Sequence, residues 1–144
     1  MIEIESRELA DIPVLHAYPV GQKDTPLPCV IFYHGFTSSS LVYSYFAVAL
    51  AQAGLRVIMP DAPDHGSRFS SDEARRLNQF WQILLQSMQE FTTLRAAIAE
   101  ENWLLDDRLA VGGASMGAMT ALGITARHPT VKCTASMMGS GYFT

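Results

Sequence analysis

Gly113-Ala114-Ser115-Met116-Gly117 forms a G-x-S-x-G run, and the chemistry it suggests is nucleophilic attack by an activated serine. The short apolar run Leu109-Ala110-Val111-Gly112 leads in, and residues with helical spacing lead out. A serine on a tight strand-to-helix turn stands clear of the sheet, but a side chain two places before or after it would collide there. Glycine at 113 and 117 removes that collision and leaves Ser115 Oγ free to attack a carbonyl carbon. A helix beginning at Met116 aims unpaired N–H groups and its positive dipole end at the reacting centre. Met116 N–H is therefore one expected donor to a developing oxyanion. The competing reading is a glycine-rich turn that packs a helix close to a strand. The flanking strand and helix favour the catalytic one.

A second donor is expected from His34-Gly35-Phe36, which directly follows the apolar run Cys29–Tyr33. Phe36 N–H is the natural candidate, Gly35 allows close backbone approach, and His34 is expected to hold the turn. In Asp61-Ala62-Pro63-Asp64-His65-Gly66-Ser67-Arg68, the two aspartates can bond the backbone that follows them, which gives an ordered loop. His65 reads as loop packing ahead of general base, and His128 as a partner for a helix C-terminus. Asp72, Glu73, Arg75 and Arg76 read as a solvated helix start. No H-x-H or H-E-x-x-H occurs, so no metal is expected. No cofactor is expected either. The chain lacks G-x-G-x-x-G and G-K-[ST], and the region near Lys132 offers no acid for a ribose.

These residues need elements to position them. Alternation over residues 2–6 predicts an exposed-face strand, and Val14–Tyr18 a second. Cys29–Tyr33, Leu55–Met59, Leu109–Gly112 and Val131–Met138 read as buried strands. Helices are expected over 40–53, capped by the serines at 38–40 and burying Leu41, Tyr45, Val48 and Ala49. A long helix is expected over 73–101, burying Leu77, Trp81, Leu84, Met88, Phe91 and Ile98, and a third over 116–128, ending before Pro129. Strands alternating with helices predict a mostly parallel sheet with helices on both faces, an α/β fold.

The composition narrows the function. At 144 residues, 49% hydrophobic and 17% charged, the chain is one domain's worth and can bury a core. A net charge of −4 argues against a nucleic-acid partner. Apolar runs fall short of the roughly 20 residues of a membrane span, and charge at residues 3–8 is unlike a signal peptide. A cytoplasmic protein is expected. Cys29 and Cys133 read as small buried hydrophobes.

The order of these motifs resembles the α/β-hydrolase superfamily, and within it the dienelactone-hydrolase and prolyl-oligopeptidase-like esterases. The resemblance covers essentially the whole chain and implies Ser115 as nucleophile, with Phe36 and Met116 supplying the oxyanion hole. It implies a sheet order that sets the strands ending at His34 and Gly113 side by side, with Cys29 and Cys133 two strands apart, too far for a disulfide. It implies a serine carboxylesterase acting on small acyl esters, with a non-catalytic ligand-binding module as the alternative. In that fold the acid and histidine of the triad follow the serine. Here 29 residues follow Ser115, with His128 as their one histidine and no Asp or Glu. Residues 1–144 are therefore expected to be the N-terminal portion of one hydrolase domain, cut after about the sixth strand, and poorly soluble or oligomeric alone.

Overall fold

The computed structural model describes residues 1–131 and the backbone of a strand at 133–137. The described residues form six strands: β1 (Ile2–Leu9), β2 (Ile12–Pro19), β3 (Leu27–Tyr33), β4 (Arg56–Pro60), β5 (Leu104–Ala114) and β6 (Cys133–Met137). Among the described residues the helices are α1 (Ser44–Gln52), α2 (Glu73–Asn78), α3 (Phe80–Glu100) and α4 (Met116–Arg127), with a 3-10 turn at Gly66–Arg68. The sheet order is β1-β2-β4-β3-β5-β6. β2 runs antiparallel to both its neighbours, and the β4-β3-β5-β6 portion is parallel. The ends of β3, β4 and β5 thus open at one edge, where ligand crevices form in such sheets. β5 separates β3 from β6, so Cys29 and Cys133 sit two strands apart.

Period-two alternation sends side chains to two cores, one on each face. Cys29, Ile31, Tyr33, Ile58, Leu109 and Val111 join Leu84, Phe91, Leu94 and Ile98 of α3 and Met116, Ala121 and Ile124 of α4. Phe32, Val57, Met59, Leu15 and Ala17 join Ala47 and Ala51 of α1. Helices therefore cover both faces, as the strand pattern predicts.

Three expectations about the elements require correction. The serines at 38–40 do not cap α1. Residues 40–43 form a turn, with Tyr43 N–H donating to Ser40 O at 3.1 Å, and the helix starts at Ser44 without a side-chain cap. The buried face shifts accordingly. Ala47 and Ala51 are buried, Leu41, Tyr45 and Ala49 are exposed, and Val48 is half-buried. The long helix is broken at Gln79, which closes α2 and opens α3. The break directs the Arg76 guanidinium over the Phe69 ring at 4.0 Å and the Phe80 ring toward Phe36 at 5.1 Å. It leaves Leu77 and Trp81 exposed while Leu84, Met88, Phe91 and Ile98 stay buried. Finally, β5 begins at Leu104 and carries left-handed residues at Asp106 and Asp107, before the register that aligns Leu109 with Cys29. Lys132 and Met138, part of the expected last strand, lie outside the described residues.

A second polar assembly lies at the opposite edge of the sheet, where β3 and β4 begin. Arg56, fully buried, donates to His16 Nε2 at 2.8 Å and to the carbonyls of Gln22 and Thr25. His16 Nδ1–H then donates to Glu5 at 2.7 Å, and the His16 ring stacks on buried Trp103 at 4.3 Å. Burial pushes the His16 pKa down to about 4, the Glu5 hydrogen bond opposing and the Arg56 charge adding to the shift.

Candidate active site

Ser115 occupies the junction of β5 and α4 with φ 57° and ψ −118°, and it is exposed among buried neighbours on either side. A non-glycine residue in this region is strained, and such strain persists where surrounding structure enforces it. The two motif glycines show how. A Cβ on Gly113 would run into the carbonyl of Gly117. A Cβ on Gly117 would run into Tyr33 O at the end of β3 and lie 2.7 Å from His34 O. α4 is thus pressed against both its own strand and the neighbouring one, which fixes the sharpness of the turn.

The loop after β3 reaches the same place. A Cβ on Gly35 would stand 3.5 Å from Ser115 Cβ and 3.5 Å from Ala114 O, so the His34-Gly35-Phe36 backbone runs directly beside the serine. The amides of Phe36 and Met116 have no acceptor among the described residues. The Met116 amide belongs to the first turn of α4, whose N–H groups have no helical partner. The Phe36 side chain points away into a ring cluster with His65 at 5.3 Å and Phe80 at 5.1 Å.

His34 and His65 hold this edge together. Ala62 N–H donates to His34 Nε2 at 3.0 Å, which leaves His34 Nδ1–H to donate to Gly35 O at 2.8 Å. His65 repeats the arrangement, accepting from Thr37 N–H at 2.8 Å through Nε2 and donating to Pro63 O at 2.9 Å. Each ring cross-links the loop after β3 to the loop after β4 with both nitrogens engaged. Burial depresses both pKa values, that of His34 to about 4, with the Gly35 carbonyl opposing. A neutral ring so tied is a structural link, and neither histidine is placed as a base toward Ser115. His128 ends α4 at its far end from Ser115, its ring against Phe91 at 4.8 Å. His16 sits at the opposite sheet edge. Among the described residues no side chain hydrogen-bonds the Ser115 hydroxyl.

Asp61 and Asp64 order their loop as the sequence suggests. Asp61 accepts from Ser40 N–H at 2.9 Å and from Ser67 Oγ at 3.2 Å, and Asp64 accepts from Ser70 N–H at 2.7 Å. Gly66, at φ +54°, lies where a Cβ would come within 2.5 Å of the Asp61 carboxylate. Sequence reasoning missed the clamp beyond it: Arg68 makes a two-pronged pair with Glu90 of α3, at 2.9 and 2.8 Å. It also missed Tyr43, whose hydroxyl would lie 3.1 Å from a Cβ on Gly35. No local signal marks that approach, because it depends on where α1 begins. Among the described residues no cluster of three or more His, Cys, Asp or Glu could hold a metal, and no helix is long and apolar enough to cross a membrane.

Comparison with known proteins bears on the family and the fold. The chain is 98% identical over all its 144 residues to Esterase YjfP of Escherichia coli K12, and spans 58% of that protein's length. It is 34% identical over 141 residues, 97% of the chain, to YitV of Bacillus subtilis 168, and spans 55% of it. Among solved structures, a dienelactone hydrolase from Anabaena variabilis superposes with a TM-score of 0.71 at 23% identity, over 96% of this chain and 63% of that one. At that identity it speaks for the fold alone, which is that of the α/β-hydrolases. Residues 24–141, which take in the His-Gly-Phe loop, the Asp61–Arg68 loop and the serine turn, match the family model described as serine aminopeptidase, S33, and the chain belongs to that family.

Proposed function

We propose that the intact protein is a serine carboxylesterase on small acyl esters, with residues 1–144 forming the front of its single hydrolase domain. The observation that carries this reading is the strained, exposed Ser115 with an acceptor-free amide on each of two segments that meet beside it, Phe36 after β3 and Met116 at the start of α4. The similarity to a protein named an esterase supports it. Ser115 Oγ attacks the ester carbonyl carbon, and the electron pair of the C=O bond moves onto oxygen. That oxyanion sits between the N–H groups of Phe36 and Met116. The C–O bond to the alcohol then breaks, leaving an acyl-serine that water hydrolyses. The base and acid for these proton transfers are assigned outside the described residues, since His34 and His65 are committed to loop backbone. A small-molecule ester is the partner, and the cytoplasm is the compartment proposed; the net charge of −4 supports a protein that does not seek nucleic acid.

Intact mass after treatment with a fluorophosphonate tests the reading. The full-length protein should gain one adduct at Ser115 and hydrolyse p-nitrophenyl acetate, and Ser115→Ala should do neither. A full-length protein with no adduct and no turnover would favour the alternative, a non-catalytic ligand-binding module. That alternative draws on the absence of a base beside Ser115 among the described residues.

A further inference from the structure

Gly35 has an ordinary backbone φ, so its lack of a side chain serves space and not conformation. What it leaves open is a small gap with two functional groups on its rim. A carbon in the Cβ position would lie 3.1 Å from the Tyr43 hydroxyl and 3.5 Å from Ser115 Cβ. The phenol oxygen and the nucleophile-bearing carbon are therefore no further apart than those two distances together. Tyr43 is half-buried, and its hydroxyl has no hydrogen-bond partner among the described residues. Its ring is held by Phe46 at 5.9 Å, Tyr45 at 6.1 Å and Phe32 at 6.3 Å, so the hydroxyl is presented by a fixed platform.

An aligned neutral donor beside a reacting carbonyl is what oxyanion stabilisation uses, because it needs no reorganisation when charge develops. We propose that the Tyr43 hydroxyl is a third hydrogen-bond donor to the oxyanion formed at Ser115, joining the amides of Phe36 and Met116. The inference rests on the esterase reading above and adds a substrate-contacting residue to it. Tyr43 transfers no proton: the bond from Ser115 Oγ to carbon forms as the Oγ–H bond breaks and its proton passes to the base assigned outside the described residues, the carbonyl electron pair moves to oxygen, and the Tyr43 O–H bond stays intact.

Tyr43→Phe in the full-length protein removes only the hydroxyl and keeps the ring contacts. kcat should fall about 10- to 100-fold on both a small aryl ester and a small alkyl ester, with KM within about twofold. Phosphonylation of Ser115 should slow by a similar factor, and the thermal midpoint should stay within about 2 °C. An unchanged kcat would overturn the proposal, as would a loss seen only in KM or confined to the alkyl ester, which would place the hydroxyl on the leaving group. A kcat loss matched by a lower thermal midpoint would also overturn it in favour of packing. The Ser115→Ala control separates the two readings. If wild type and Ser115→Ala are equally inert, the esterase reading falls and this one with it. If wild type is active and Tyr43→Phe equals it, this one falls alone.

Discussion

At the scale of single residues, glycines 113 and 117 define the serine turn by what they lack. The position facing Gly117 is backbone, Tyr33 O and His34 O, and backbone at the end of a central strand cannot step aside as a flexible side chain would. Gly117→Ala should therefore destabilise the fold by about 1–3 kcal/mol or more and also disable Ser115, because relief requires moving α4 off β3. Urea unfolding together with fluorophosphonate labelling measures both effects, and a variant with wild-type stability and labelling would contradict the packing account. The serine turn was legible in the sequence because its pattern lies in five consecutive residues, although the backbone that Gly117 must clear belongs to β3 and the loop after it. The contact between Tyr43 and Gly35 was not. It depends on seven residues of intervening chain whose path is set by the Asp61 carboxylate capturing Ser40 N–H from another loop.

At the scale of elements, apolar spacing located the strands but merged α2 and α3 into one helix and misassigned two helical faces. The stretch 73–101 contains no Pro or Gly, so nothing in it marks the break at Gln79. The break is tertiary in origin, with Arg76 over Phe69 and Phe80 against Phe36 held in place of a continuous helix. The cost of the error is specific: Leu77 fits the helical stripe on paper yet is 63% exposed, whereas Leu84 is 2% exposed. Leu77→Gln should change stability by no more than about 0.5 kcal/mol, and Leu84→Ala should cost about 2–5 kcal/mol. Equal losses in a denaturant titration would restore the unbroken helix. α1 fails for a related reason. Serines 38–40 look like a cap, but Ser40 is used to tie two loops together, and the helix starts a turn later.

At the scale of the whole molecule, both edges of the sheet are fastened by buried neutral histidines, His34 at the edge of Ser115 and His16 at the other. Each has its pKa lowered from about 6.5 to about 4, chiefly by burial. Unfolded chains take up protons on these rings near pH 6.5, and the native protein refuses them until about pH 4. Their contribution is thus fully present above pH 6.5, shrinks as the pH falls through that window, and levels off below it. Each ring accounts for on the order of 3 kcal/mol at most. Urea midpoints should drop between pH 7 and pH 4.5 and recover on return. A flat profile over that range would show the rings to be freely protonated in the folded state. The parallel sheet and its two covered faces were legible from strand composition, since buried strands read as unbroken apolar runs. The Glu5–His16–Arg56 assembly was not, because its members are far apart in sequence and none belongs to a motif.

The chain has two tryptophans, and the fold has given them opposite surroundings: Trp81 is 46% exposed, and Trp103 is sealed against His16 with the guanidiniums of Arg56 and Arg7 at 4.8 and 4.9 Å from its ring. The protein thereby carries its own optical gauge. In a Trp81→Phe background the remaining emission is that of a dry indole lying on an imidazole, and a protonated imidazole at stacking distance is a quencher. Light from Trp103 would dim when His16 takes its proton and shift to the red when the sheet edge opens. A single cuvette could then tell charging of the edge apart from its unfolding.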